Sequence, residues 1–223
     1  MNKIDQLEYD LRSSTFRLDS PPTDPQTQAA ELAHYLKQFT HARSPYVHDR
    51  PLTYVDGHSK LDWLSGAPDA ADRDTYSEFW AGNHHGKDTW VALVSMPIRT
   101  WVANPDWDTD GWHAWGLALI KPQKGRGKHL IIWDCDPRSP LSNTGQPLRP
   151  QEFMLPTQVK LIKHAQKRGR LAGVWYNTDL SHAGQNRCLE FTLKWIDEMV
   201  RSGDSPFTEN DPRLQGCTRI TKK

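Results

Sequence analysis

The chain has 223 residues, enough for one domain with a sizeable hydrophobic core. Its formal net charge of +1 gives no reason to expect a nucleic acid or an anionic membrane as a partner. Its three cysteines have no paired spacing, which argues against a secreted disulfide framework. No secretory signal is visible at the N-terminus, and no run approaches the roughly 18 apolar residues of a membrane helix. We therefore expect an intracellular protein, nuclear or cytoplasmic, without membrane contact.

The first 23 residues are polar and end in the prolines Pro21 and Pro22. This composition predicts an N-terminal arm over residues 1–23, followed by a single domain over residues 24–223. At the start of that domain, apolar residues recur at helical spacing between positions 32 and 39. That spacing predicts an amphipathic helix.

Three short apolar runs predict strands in the middle of the chain. The first covers residues 89–95 and is ended by Pro97. The second and third cover residues 113–121 and 128–134. The segment between them is charged and rich in glycine, so we expect these two strands to form a hairpin.

The second half of the chain alternates between irregular and regular patterns. Residues 136–155 contain four prolines and show no periodicity, which predicts a long irregular connection. A helix over 156–168 and a strand over 171–176 follow. The last predicted helix, residues 187–201, is apolar on nearly all sides and should be buried. Strands and helices are partly segregated along the chain, so the predicted fold class is α+β.

Cys188 opens this buried helix, directly after a polar segment over residues 177–185. Unpaired backbone N–H groups and the helix dipole stabilise a thiolate at such a position, which lowers the pKa of the thiol. Cys188 is therefore a candidate nucleophile. The alternative is that it fills a gap in the core as a small apolar residue.

His113 and Asp134 lie at the matching ends of the two hairpin strands. If these strands are antiparallel, the start of one and the end of the other meet at the same edge of the sheet. The carboxylate could then orient the imidazole, which could act as base and later as acid toward Cys188. Asp136 is the alternative acid. For His113 itself, the alternative is a buried structural histidine.

The order His113, Asp134, Cys188 resembles that of the ubiquitin-like-protein proteases, namely the SUMO-specific (sentrin) proteases and their adenoviral relatives. These carry a His-Trp leading into a strand, an Asp after the next strand, and a Gln shortly before a Cys that opens the central helix. The resemblance covers residues 89–202. Ala114 stands here where the family has Trp after its His, and Leu189 stands where it has Gly after its Cys.

The resemblance implies a papain-like fold in permuted order, with a central, mostly antiparallel sheet packed on the Cys-bearing helix. It also implies a cysteine protease or isopeptidase that acts on a ubiquitin-like modifier or a similar protein tail through an acyl-enzyme. Gln185 would help Cys188 to hold the oxyanion, and Trp112 and Trp115 would wall the substrate groove. Such a centre needs no cofactor. The alternatives are an acyltransferase with the same Cys–His centre and an inactive binding module.

A metal site is not predicted. The segment 106–111 begins like a calcium-binding loop, but Leu117 occupies the position that should hold Glu. His84 and His85 lack the spacing to a cysteine that zinc sites show.

Overall fold

The computed structural model describes residues 36, 45–47, 52–53, 86–97, 112–167, 171–181 and 188–220. The predicted N-terminal arm lies outside these residues, and so does the calcium-like segment 106–111. Of the helix predicted over 32–39, the structure describes Leu36 alone, which is helical and fully buried. No helix within the described ranges is long and apolar enough to cross a membrane.

The described residues contain one mixed β-sheet of seven strands. The strands are β1 (Tyr46–Val47), β2 (Leu52–Thr53), β3 (Thr89–Pro97), β4 (Trp112–Ile120), β5 (Lys128–Asp134), β6 (Leu171–Asn177) and β7 (Cys217–Ile220). Six follow each other in the order β1-β3-β4-β5-β6-β7, and β2 pairs with β3 beside β1. The antiparallel pairs are β3–β4, β4–β5 and β6–β7.

The α-helices in the described ranges are α1 (Pro150–Phe153), α2 (Pro156–Lys167) and α3 (Cys188–Arg201), and a 3-10 helix covers Pro212–Leu214. Helices α1 and α2 both begin with proline, whose fixed φ and missing N–H suit the first helical position. Helix α3 ends before Gly203, whose φ of 83° places it in the left-handed region that commonly follows a helix.

The α+β class and the predicted elements between residues 89 and 201 are confirmed, with two corrections. The sheet is mixed: its longest ladders are antiparallel, but β1 and β2 pair in parallel with β3, and β6 pairs in parallel with β5 after the crossover through helix α2. The connection predicted to be irregular over 136–155 contains the short helix α1. The finer papain-like assignment stays a prediction.

Helices cover both faces of the sheet, because successive side chains of a strand point to opposite sides. Helices α1 and α2 pack on one face, against β4 residues such as Trp115 and Leu117. Helix α3 packs on the other face, against Ala114 and Ala118 of the same strand. A wide apolar surface on α3 predicted this burial, and most of the helix is indeed inside the fold.

Gly116 allows α3 to approach β4 closely. A Cβ atom at this position would overlap Cζ3 and Cε3 of Trp195, whose ring lies directly over the strand. The ring of Trp195 also stacks on Trp133 of β5, with centroids 5.9 Å apart. The absence of a side chain at Gly116 therefore sets the distance between the sheet and the helix that begins with Cys188.

We predict that Gly116→Ala destabilises the fold by about 1–3 kcal/mol, the usual cost of overpacking a core. In a Trp195→Leu background, which lacks the overlapping ring atoms, the same substitution should cost much less. Denaturant unfolding of the four proteins of this double-mutant cycle measures the difference. An equal cost in both backgrounds would contradict this role of Gly116.

Candidate active site

His113 and Asp134 are brought together by the register of the hairpin. Asp134 pairs with Trp115 across the β4–β5 ladder, so His113, two residues earlier on β4, is its diagonal neighbour on the same face. The Nε2 atom of His113 lies 2.9 Å from Oδ1 of Asp134. Both residues are buried, with 6% and 1% of their surface exposed. The contact is therefore a hydrogen bond shielded from water.

The Asp134 carboxylate accepts two further hydrogen bonds. The backbone N–H of Asp136 donates to Oδ1 at 3.1 Å, and Nε2 of Gln158 donates to Oδ2 at 2.9 Å. Nδ2 of Asn177 holds the main chain by donating to the Asp134 carbonyl oxygen at 2.7 Å. Of the two acids considered from the sequence, Asp134 contacts the imidazole through its carboxylate, while the exposed Asp136 supports it with its backbone.

Cys188 is the first residue of α3, and 9% of its surface is exposed. Its sulfur is hydrogen-bonded to the His113 side chain and to the backbone N–H of Ala114. The hydroxyl of Thr192, one turn further along α3, lies 2.7 Å from the Cys188 carbonyl oxygen and 3.2 Å from that of Ala114. Thr192 thus joins the start of the helix to the strand that carries the imidazole.

The electrostatics of this group favour an imidazolium. Burial, the largest influence, lowers the pKa of His113, but the charge and hydrogen bond of Asp134 and the contact with Cys188 together raise it well above its ordinary value. Burial likewise raises the pKa of Asp134, yet His113 and the donors from Asp136 and Gln158 bring it below the usual range. Asp134 is therefore held ionised beside a protonated ring.

Cys135 is a member of this site that the sequence analysis missed. Its thiol is buried beside Cys188, and its interaction with the Cys188 thiol is the largest influence that lowers the pKa of Cys188. Burial opposes this effect, while His113 and the Ala114 N–H add to it, so the Cys188 pKa lies well below that of a free thiol. The same contact and burial raise the pKa of Cys135. In the sequence, the only indication that Cys135 lies near the site is its position directly after Asp134.

Trp115, Trp112 and Gln185 are the remaining predicted site residues. Trp115 has no exposed surface and packs in the core with Trp90 and Leu117, so it cannot wall an open groove, and this prediction is corrected to core packing. Trp112 begins β4, but its side chain lies outside the described part of the structure. Gln185 also lies outside it.

The geometry brings together a thiol, an imidazole and a carboxylate, the groups that a nucleophile, a base and an orienting acid require. Because His113 uses Nε2 for Asp134, its other ring nitrogen is the one that can exchange a proton with the Cys188 thiol. A thiolate beside an imidazolium can attack an electrophilic carbonyl carbon, as in nucleophilic catalysis by cysteine. Among the described residues, no group of three potential ligands could hold a metal ion.

No protein-family model, no curated protein and no solved structure matches the chain.

We predict that a neutral alkylating reagent modifies Cys188 at pH 6, where an ordinary thiol of pKa about 8.5 is almost fully protonated. The lowered Cys188 pKa keeps the thiolate populated until the pH falls through that value. His113→Ala removes the imidazolium and should slow alkylation at pH 6 by more than about tenfold. Iodoacetamide kinetics with peptide mass mapping measure this rate. Cys217 is the internal control, since burial raises its pKa to about 12.

Cys135→Ala should raise the pKa of Cys188, because the thiolate loses the neighbouring thiol whose contact lowers that pKa most. The alkylation profile should move to higher pH, with a loss of about threefold or more at pH 6. Cys217→Ala, which removes a thiol elsewhere, is the matched control. An unchanged profile in Cys135→Ala would show that this thiol does not stabilise the Cys188 thiolate.

Proposed function

We propose that this chain is a cysteine peptidase that forms an acyl-enzyme on Cys188. His113 acts as its acid–base group, and Asp134 orients the ring. The observation that carries the proposal is the 2.9 Å hydrogen bond between His113 and Asp134 on a ring that is also hydrogen-bonded to the Cys188 thiol. A structural histidine would explain the bond to Asp134. It would not explain why the same ring meets a thiol at the start of a helix.

The proposed reaction begins with the Cys188 thiolate attacking the carbonyl carbon of a peptide or isopeptide bond. The electrons of the carbonyl move to its oxygen and return as the C–N bond breaks. The imidazolium of His113 donates its proton to the leaving amine. His113 then takes a proton from water, whose oxygen attacks the thioester, and the Cys188 sulfur leaves as the thiolate.

The oxyanion of this reaction needs N–H donors close to Cys188. The backbone N–H of Cys188 lies at the start of α3, next to the sulfur that would attack the carbonyl carbon. It is therefore the proposed first donor. Gln185 remains the predicted second donor, as the resemblance to the ubiquitin-like-protein proteases implies.

The proposed substrate is a ubiquitin-like modifier or a similar protein tail. Support for this class comes from the order His113, Asp134, Cys188 and from the strand and helix that carry the base and the thiol. Trp115 is not part of the proposed groove because it is buried in the core.

We expect a ubiquitin or SUMO probe with a C-terminal electrophile to label the protein through Cys188. Cys188→Ala should abolish labelling, and His113→Ala should reduce it by at least about tenfold. Cys217→Ala should label like the wild type. The rate of substrate hydrolysis should be highest between the lowered pKa of Cys188 and the raised pKa of His113, because hydrolysis needs the thiolate as nucleophile and the imidazolium as the acid for the leaving amine. Gel shifts and mass spectrometry identify the adduct.

Two results distinguish the other readings. If small acyl electrophiles acylate Cys188 and an added amine captures the acyl group in preference to water, the chain is an acyltransferase. If no acyl electrophile reacts with Cys188 faster than with Cys217, the chain is not an enzyme of this class, and an inactive binding module becomes the better account.

A further inference from the structure

Gln158 connects helix α2 to the acid of the proposed centre. It has no exposed surface, although a glutamine side chain is ordinarily solvated. Its Nε2 atom donates to Oδ2 of Asp134 at 2.9 Å, and its Oε1 atom accepts from the backbone N–H of Leu155 at 3.1 Å. Both ends of the buried amide therefore have a partner.

The bond to Leu155 determines which end of the amide faces Asp134. Leu155 precedes Pro156, the first residue of α2, so Gln158 occupies the third helical position, where a side chain can reach back to the N–H before the helix. A backbone N–H can only donate, so the oxygen of the amide must face it. The NH₂ group must then face the carboxylate. Helix α2 thus presents a donor in a fixed orientation.

Oδ2 of Asp134 depends on this donor. Among the described residues, His113 and the Asp136 N–H serve Oδ1, while Gln158 alone donates to Oδ2. A buried carboxylate oxygen without a donor is costly, and the carboxyl can avoid that cost by taking up a proton or by turning away from its partner. Either change weakens its hold on the imidazole.

We propose that Gln158 is a positioning residue, which holds the Asp134 carboxylate ionised and aimed at His113 through a donor fixed by the start of helix α2. The inference rests on the proposed Cys188–His113–Asp134 centre, and it assigns Gln158 a part in setting the protonation of His113. The hydrogen bonds of its side chain go to Asp134 and to the Leu155 backbone, so Gln158 acts through Asp134.

The test compares Gln158→Leu, which keeps the side-chain volume but removes the donor, with Val159→Ala on the same helix. Val159 is buried in the core on the α2 face, so its truncation destabilises the protein without touching the carboxylate. Titration of the His113 ring by NMR should show a lower pKa in Gln158→Leu. Alkylation of Cys188 at pH 6 should slow by about tenfold, the effect of one hydrogen bond to a charged group. Val159→Ala should leave both readouts as in the wild type.

Gln158→Glu provides a second variant, because a glutamate at this position still accepts from the Leu155 N–H. The new carboxyl can donate to Asp134 only while it is protonated. The reactivity of Cys188 in this variant should therefore decline as the pH rises and the new carboxyl loses its proton, a step that the wild type lacks. The inference is overturned if both folded variants keep the wild-type His113 titration and alkylation profile, or if Val159→Ala shifts them equally.

These readouts separate this inference from the proposed function. If ubiquitin-like probes fail but Gln158→Leu still lowers the His113 pKa, the substrate assignment fails and the positioning role stands. If the probes label Cys188 and Gln158→Leu leaves the titration unmoved, the peptidase proposal stands and the role of Gln158 is refuted.

Discussion

The buried carboxylate of Asp134 is the constraint on which the rest of the site depends. A charge with 1% of its surface exposed is unfavourable unless a counter-charge and hydrogen-bond donors replace the lost water. The fold supplies these from separate parts of the chain, namely His113 on β4, the Asp136 backbone after β5, and Gln158 on α2. The requirement for these donors fixes how the hairpin and the helix meet. Stability and the orientation of the imidazole therefore have the same origin.

The thiol arrives from the opposite face of the sheet. His113 and Asp134 lie on the face covered by α2, whereas α3 packs on the other face. The first residue of α3, Cys188, lies beside the start of β4. Gly116 lets the helix lie close, and Thr192 joins it to the carbonyl group of Ala114. The Cys188 sulfur can then meet both the imidazole and the Ala114 N–H. Core packing thus places the thiol, and the charges around it decide its protonation.

Local sequence patterns predicted the strands and the helix that carry the site. The features that these patterns did not predict depend on contacts between residues far apart in the chain. Strands β3 to β6 and helix α3 have clear apolar periodicity, and antiparallel pairing follows from a short loop between β4 and β5. Strand β7 is short and only partly buried, so its sequence carries little signal, and its pairing partner lies some forty residues earlier in the chain. Trp115 is equally compatible with a groove wall or a core, and only the packing of α2 decides between them. Gln158 gains its role from contact with Asp134, and Cys135 gains its role from contact with Cys188. The two residues of each pair lie far apart in sequence, so no local pattern points to either contact.

In the ion-pair state, one imidazolium stands between two anions, the Asp134 carboxylate and the Cys188 thiolate. A single positive charge cannot fully compensate two negative charges in a buried site, so oriented neutral donors must carry the remainder. The carboxylate accepts a hydrogen bond from the amide of Gln158. The thiolate is stabilised by its contact with the Cys135 thiol and by the dipole at the first turn of α3. A site balanced in this way responds to the loss of a neutral donor as well as to the loss of a charge. The protonation of the thiol is therefore a property of the whole donor set, and Cys188, His113 and Asp134 alone do not determine it.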